Sequence, residues 1–263
     1  MDWIELLGFV SAAVVGLVLG LIGGGGSILT VPVLVYLLGV EPTLATAYSL
    51  FIVGMTASVG AVRNYQAGLV DFKTGVVFAL PSLVAVYATR RWLVPAIPES
   101  FELAGIGMTR DLLIMVLFAV LMVAASLSMI RGRKEAGDAE GETQWWLVPI
   151  EGVAVGVLTG LVGAGGGFLI IPALVVLVRM PMKIAIGTSL MIIAAKSLIG
   201  FVGDLGSGQD IDWTLLLIFT GLTIVGIFGG MQLAKKVDGA SLKKGFGWFV
   251  LIMGSLILLK ELL

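Results

Sequence analysis

Apolar runs long enough to cross a bilayer recur along the whole chain, and they set the solvent in which it must fold. The first runs from Trp3 to Ile22. About twenty helical residues cover the roughly 30 Å hydrocarbon core at 1.5 Å rise each. Further helices are expected from about Leu44 to Asn64, Phe72 to Val94 (kinked at Pro81), Asp111 to Ile130, Trp145 to Val162, Lys183 to Gly203, Trp213 to Ala234 and Gly245 to Leu262. An irregular stretch is expected before Arg110. Only 13% of the 263 residues are charged, against about a quarter in soluble domains. This is the composition of an all-α polytopic membrane protein. The start, Met1-Asp2-Trp3-Ile4-Glu5, lacks the basic region of a signal peptide.

Two glycine clusters interrupt this pattern. Gly23-Gly24-Gly25-Gly26-Ser27 is followed by Pro32, and Gly163-Ala164-Gly165-Gly166-Gly167 by Pro172. After each comes a short apolar segment, from Ile28 to Leu38 and from about Phe168 to Val178. About eleven residues are too few to cross easily, so each reads as a half-helix or re-entrant arm. Ser27 is placed to N-cap the first arm.

The clusters belong to a longer correspondence. At a constant offset of 140, Gly16, Gly20, Gly23, Gly25, Gly26 and Pro32 fall on Gly156, Gly160, Gly163, Gly165, Gly166 and Pro172. Ser49-Leu50 falls on Ser189-Leu190, and Gly60 on Gly200. The reading is a duplication with five helical segments per half: residues 1–130, a charged cytoplasmic linker 131–144, and residues 145–263. Lysine and arginine fix the orientation. With the linker and the Lys235-Lys236…Lys243-Lys244 loop inside, Arg63, Lys73, Arg179 and Lys183 also fall inside. That places eleven basic residues inside and four (Arg90, Arg91, Arg110, Lys260) outside, with both termini outside. Each half then has odd crossing parity, so the halves form an inverted repeat.

A helix that begins inside the bilayer leaves its first N–H groups without partners and carries about half a positive charge. Glycines leave those groups unshielded, which is the physics of anion sites at helix N-termini. Gly24, Gly25, Gly26, Ser27, Gly165, Gly166 and Gly167 are the expected backbone contacts. Gly16 with Gly20, and Gly156 with Gly160, instead suit close helix packing. Lys196 is the one basic residue in the middle of a predicted helix. It either meets the anion, snorkels, or pairs with Asp204, although eight residues put that partner about 12 Å away along the helix. Ser49, Thr188 and Ser189 either face the site or bond back to their own helices. Tyr48 either contacts the substrate or packs. Glu151 is the best-placed carboxylate for proton coupling, or else an interfacial acid. Trp3, Trp92, Trp145, Trp146 and Trp213 read as interfacial anchors.

Other chemistry is argued against. The chain has no Cys and no His, which removes disulfides, Cys-ligated metals and the commonest general base. No paired intramembrane carboxylates take their place, so neither an enzyme nor any cofactor or metal is expected. A net charge of −1 gives no argument for nucleic acid. No Lys-Ser/Thr follows either glycine cluster, so a nucleotide phosphate loop is rejected.

The run Gly16-Leu17-Val18-Leu19-Gly20-Leu21-Ile22-Gly23-Gly24-Gly25-Gly26…Pro32, its counterpart from Gly156 to Pro172, and Ala185-Ile186-Gly187-Thr188-Ser189-Leu190 resemble the sulfite exporter TauE/SafE family of membrane transporters. The resemblance covers nearly the whole chain. It implies a multi-pass cell-membrane transporter of small sulfur-containing anions, such as sulfite or organosulfonates, with export the expected direction. An anion channel is the alternative, and homodimerisation is left open. The halves differ at the expected site: Tyr48 and Thr56 stand where Thr188 and Lys196 stand in the second half.

Overall fold

The structure, a computed structural model, describes residues 3–24, 26–103, 106–131, 147–163, 166–176, 180–205, 210–234, 236 and 239–262. Expectations for Gly25, Gly165, the linker from residue 132, Trp145, Trp146, Arg179 and Lys235 lie outside the described residues.

The described chain is helical apart from one hairpin. It runs α1 (Trp3–Ile22), α2 (Ser27–Tyr36), α3 (Pro42–Gln66), α4 (Phe72–Ala88), a π turn (Thr89–Leu93), α5 (Val94–Ala96), β1 (Ser100–Leu103), β2 (Ile106–Thr109), α6 (Arg110–Ile130), α7 (Leu147–Val162), α8 (Gly167–Val176), α9 (Met182–Asp204), α10 (Trp213–Ala234) and α11 (Gly239–Leu262). By length and composition, five described segments can cross a membrane: Pro42–Gln66, Phe72–Ala96, Arg110–Leu127, Lys183–Asp204 and Trp213–Ala234. Helices α2 and α8 have ten residues each, about 15 Å, or half a hydrocarbon core.

Helix starts follow local chemistry. Pro42 opens α3 at a position where its missing N–H is harmless. Asp71 caps α4 by accepting from the Thr74 N–H, and Thr109 caps α6 by accepting from that of Leu112. Asp212 accepts from the N–H groups of Thr214 and Leu215 at the start of α10. At α2 the structure corrects the sequence reading: Gly26, not Ser27, is the N-cap, and Ser27 is the first helical residue. Glycine has no side chain to cap with, and no side-chain cap bond is made at this helix start. The stretch before Arg110 is likewise not irregular. It forms an antiparallel hairpin with Ser100 opposite Thr109 and Leu103 opposite Ile106.

Helices α3 and α9 pack along each other at the centre. Around them, α1 packs along α10 and α7 along α4, while α10 also meets α3 and α4 also meets α9. Helices α6 and α11 form a further pair, and α2 touches α8. The α1–α10 and α4–α7 pairings each have a glycine seam. A Cβ built at Gly16 would lie 1.9 Å from the Thr223 carbonyl oxygen, and one at Gly20 would lie 2.4 Å from that of Ile227. From the other helix, Cβ atoms built at Gly226 and Gly230 would lie 2.1 and 2.0 Å from the Ala13 and Leu17 carbonyl oxygens. Gly156 and Gly160 meet Ser82, Val86 and Thr89 in the same way. The expected small-residue packing is present at both seams.

Gly16→Ala should therefore force α1 away from α10, at a cost of about 1–3 kcal/mol. In detergent it should lower the melting temperature. Gly229→Ala on the same α10, where a Cβ meets nothing within 4 Å, should leave the melting temperature unchanged or raise it.

Candidate functional site

The two glycine turns end α1 and α7 and begin α2 and α8. Gly23, Gly163 and Gly166 have φ of 78°, 67° and 69°, a left-handed conformation that glycine adopts without penalty. The turns meet. A Cβ at Gly24 would lie 2.5 Å from the Gly167 Cα, and one at Gly167 would lie 2.2 Å from the Gly24 Cα. Backbone rests on backbone at this crossing, and no side chain fits between.

Each turn also leans on a long helix from the other part of the chain. Gly23 lies against Ile186 of α9, 2.5 Å from its Cγ2 to a built Cβ, and Gly163 against Thr46 of α3, 2.4 Å from its carbonyl oxygen. Ser189, one turn past Ile186, donates to the Ile186 carbonyl at 2.8 Å and to that of Gly23 at 3.4 Å. It bonds back to its own helix and touches the first glycine turn as well. Ser49, one turn past Thr46, is fully buried, and among the described residues its hydroxyl has no hydrogen-bond partner. An unsatisfied buried hydroxyl is uncommon and points to an absent partner.

Lys196 is 0% exposed. Its Nζ donates to Thr159 Oγ1 at 3.0 Å. A Cβ built at Gly166 would lie 2.5 Å from the same nitrogen, so the ammonium lies against the second glycine turn where α8 begins. Among the described residues no carboxylate pairs with it. Asp204 is engaged elsewhere, accepting from Arg90 Nε at 2.8 Å. The pairing alternative for Lys196 is thereby displaced, because Arg90 reaches Asp204 directly. The Gly167 and Phe168 N–H groups precede the first intrahelical bond of α8, in which Ile170 N–H donates to Gly166. A buried lysine nitrogen and the positive end of a helix thus lie together. Both favour a negative charge in the same place, and neither supplies one to the other.

Not every expected residue gathers here. Tyr48 Oη accepts from the Asp212 N–H at 2.5 Å, and its ring packs with Leu34 and Phe201. Thr188 Oγ1 accepts from the Asp71 N–H at 2.9 Å, bracing α9 against the start of α4. Gly26 backs onto α1, with a built Cβ 2.5 Å from the Val15 carbonyl oxygen. Sequence reasoning missed Thr159 and Arg90. Thr159 carries little signal in a helix of mixed small residues. Arg90 had one: the apolar span runs to Ala96, so Arg90 sits more than a turn inside its end.

A helical frame with five described segments long and apolar enough to span defines an all-α polytopic membrane protein. The chain belongs to the family described as "Sulfite exporter TauE/SafE", which matches residues 8–257, and it is a membrane transporter. It is 33% identical over 249 residues to a "Probable membrane transporter protein" of Xylella fastidiosa strain 9a5c, covering 92% of this chain and 90% of that one. It is 29% identical to the "Probable membrane transporter protein YunE" of Bacillus subtilis strain 168, covering 80% and 83%. A "Probable membrane transporter protein" of Haemophilus influenzae is 26% identical, covering 97% and 98%. No solved structure matches the chain significantly.

Gly166→Ala would place a methyl 2.1 Å from Thr159 Cγ2 and 2.5 Å from Lys196 Nζ, at a left-handed φ. The variant should still insert and be helical by circular dichroism, while losing at least about ten-fold in anion affinity by calorimetry.

Proposed function

We propose that this chain is a secondary transporter, acting as an exporter, that carries small sulfur-containing anions such as sulfite or organosulfonates across the plasma membrane. One observation carries the reading: the fully buried Lys196 ammonium lies against Gly166 at the start of α8. An uncompensated buried charge is strongly unfavourable, and an anion with several acceptor oxygens compensates it. Such an anion can accept from Lys196, from the hydroxyls of Ser49 and Ser189, and from the backbone N–H groups at the start of α8, Gly167 included. Sulfite and sulfonate headgroups have that shape, and the family description names sulfite.

The mechanism follows from the pairing of helices. Exchanging α1 with α7, α2 with α8, α3 with α9, α4 with α10 and α6 with α11 turns every major contact into another observed contact. The α1–α10 pair becomes α7–α4, α3–α10 becomes α9–α4, and α3–α9, α2–α8 and α6–α11 map onto themselves. This pattern supports an inverted repeat with a twofold axis through the Gly24–Gly167 crossing. In such a fold α2 and α8 are re-entrant arms meeting near mid-bilayer from opposite faces, and the halves rock about them to give alternating access. The distribution of basic residues supports both termini lying outside.

In a thermal-shift screen of the purified protein, sulfite, thiosulfate, sulfoacetate or taurine should raise the melting temperature, and at least one should do so more than sulfate. Lys196→Met should weaken the best ligand about 10–100-fold, the worth of a charge-assisted hydrogen bond. Lys244→Ala, at an exposed position, should not. Counterflow of that ligand in preloaded vesicles identifies a carrier; non-saturating flux without counterflow would indicate a channel.

A further inference from the structure

We propose that Arg90, Asp204 and Thr46 form the latch that closes the candidate site on the face where α3 begins and α9 ends. The inference rests on the alternating-access reading above and adds to it the residues that hold one gate shut.

Among the described residues Arg90 is the largest fully buried side chain, 1% exposed, and it is ionic. It lies in the π turn Thr89–Leu93. Such turns widen a helix and recur at functional positions. Each of its three guanidinium nitrogens has a hydrogen-bond partner. Nε donates to Asp204 Oδ2 at 2.8 Å, and Nη1 and Nη2 each donate to Thr46 Oγ1 at 3.0 Å. Thr46 Oγ1 in turn donates to the Thr43 carbonyl at 2.7 Å, and Thr43 Oγ1 donates to Asp111. One polar chain therefore ties the end of α9 to the π turn, the start of α3 and the start of α6. Its middle member touches the site, because Thr46 is the residue on which Gly163 rests. A solute entering from this face must part Thr46 from Gly163. Arg90 holds Thr46 in place.

The opposite face lacks the device. The offset of 140 relates Thr46 to Ile186 and Asp204 to Asn64. The seams relate α4 to α10 by 141, since Ser82 and Val86 occupy the places of Thr223 and Ile227, which relates Arg90 to Met231. The first glycine turn rests on Ile186, Asn64 Nδ2 donates to the Gly60 carbonyl in its own helix, and Met231 packs among apolar side chains. The architecture is shared, whereas the ion pair belongs to one face. Opening this face must separate or rearrange a buried charge pair, and opening the other need not.

The chain has no cysteine, so single reporters need no background removal. Ser49→Cys lies one turn below Thr46, and Ser189→Cys one turn past Ile186. Each is treated with a membrane-impermeant thiol reagent from its own face. Asp204→Asn should raise the labelling rate at position 49 at least about ten-fold, and Thr46→Val should raise it less. An unchanged rate at position 49 in both variants overturns the latch. A simultaneous fall in labelling at position 189 belongs to alternating access; if 49 speeds up while 189 holds constant, the latch stands and the rocking mechanism fails. A second measurement tests directly whether the two helix ends must separate. A Cβ at Gly203 lies 3.1 Å from the Arg90 Cβ, a few tenths of an ångström short of disulfide spacing. The Arg90→Cys, Gly203→Cys protein should stop transporting on oxidation and recover on reduction. Undiminished transport with the cross-link formed would refute the latch.

Discussion

Everything in this molecule depends on backbone approaching backbone where no water is present to fill a gap. In a bilayer apolar side chains gain little by leaving lipid, so helices associate through close contact and polar bonds rather than hydrophobic burial. The glycine seams supply that contact. Gly16 and Gly20 against Thr223 and Ile227, answered by Gly226 and Gly230 against Ala13 and Leu17, leave α1 and α10 no freedom to slide. The Gly24–Gly167 crossing applies the same contact to two helix breaks. Because nothing separates them, the starts of α2 and α8 lie together, and the polar groups that a break exposes are concentrated in one place. A larger residue at either position would push the turns apart.

Much of this was legible in the sequence, for reasons that can be separated. Long helices are written in apolar run length, so α3, α9 and α10 fall close to their expected bounds, whereas α4 gives way to a π turn at Thr89, short of the expected Val94. The glycine clusters were legible because glycine has few reasons to recur at matched spacing. Lys196 stood out as a charge in an apolar run. What escaped depends on distance in space. Arg90 was read as one of several basic residues at a helix end, since nothing in its neighbours announces that Asp204 and Thr46 converge on it from 114 and 44 residues away. Thr188 and Tyr48 sit beside serines at matched positions, but adjacent helical residues point about 100° apart. Their oxygens are accordingly taken by the Asp71 and Asp212 N–H groups. The hairpin at residues 100–109 was hidden because a four-residue strand pair leaves too short a pattern to distinguish from a loop.

The halves share a geometry and differ in charge, and the difference is mechanistically informative. Packing constrains the glycines on both sides of the relationship, so they persist in matched register. Charge is constrained only where it acts. Lys196 stands opposite Thr56, whose hydroxyl instead bonds Thr223 Oγ1 at 2.7 Å. Arg90 and Asp204 stand opposite Met231 and Asn64. The buried cations and the one buried ion pair described in this structure all lie on one side of that relationship. A symmetric frame can rock with equal ease in both directions. With the charges distributed in this way, the two end states of the proposed rocking cycle would differ in energy, because one would require a buried pair to part in a low-dielectric environment and the other would not. In the alternating-access mechanism proposed above, the frame would provide two states, and the asymmetric charges would bias the empty protein toward the one in which Arg90 keeps its partners.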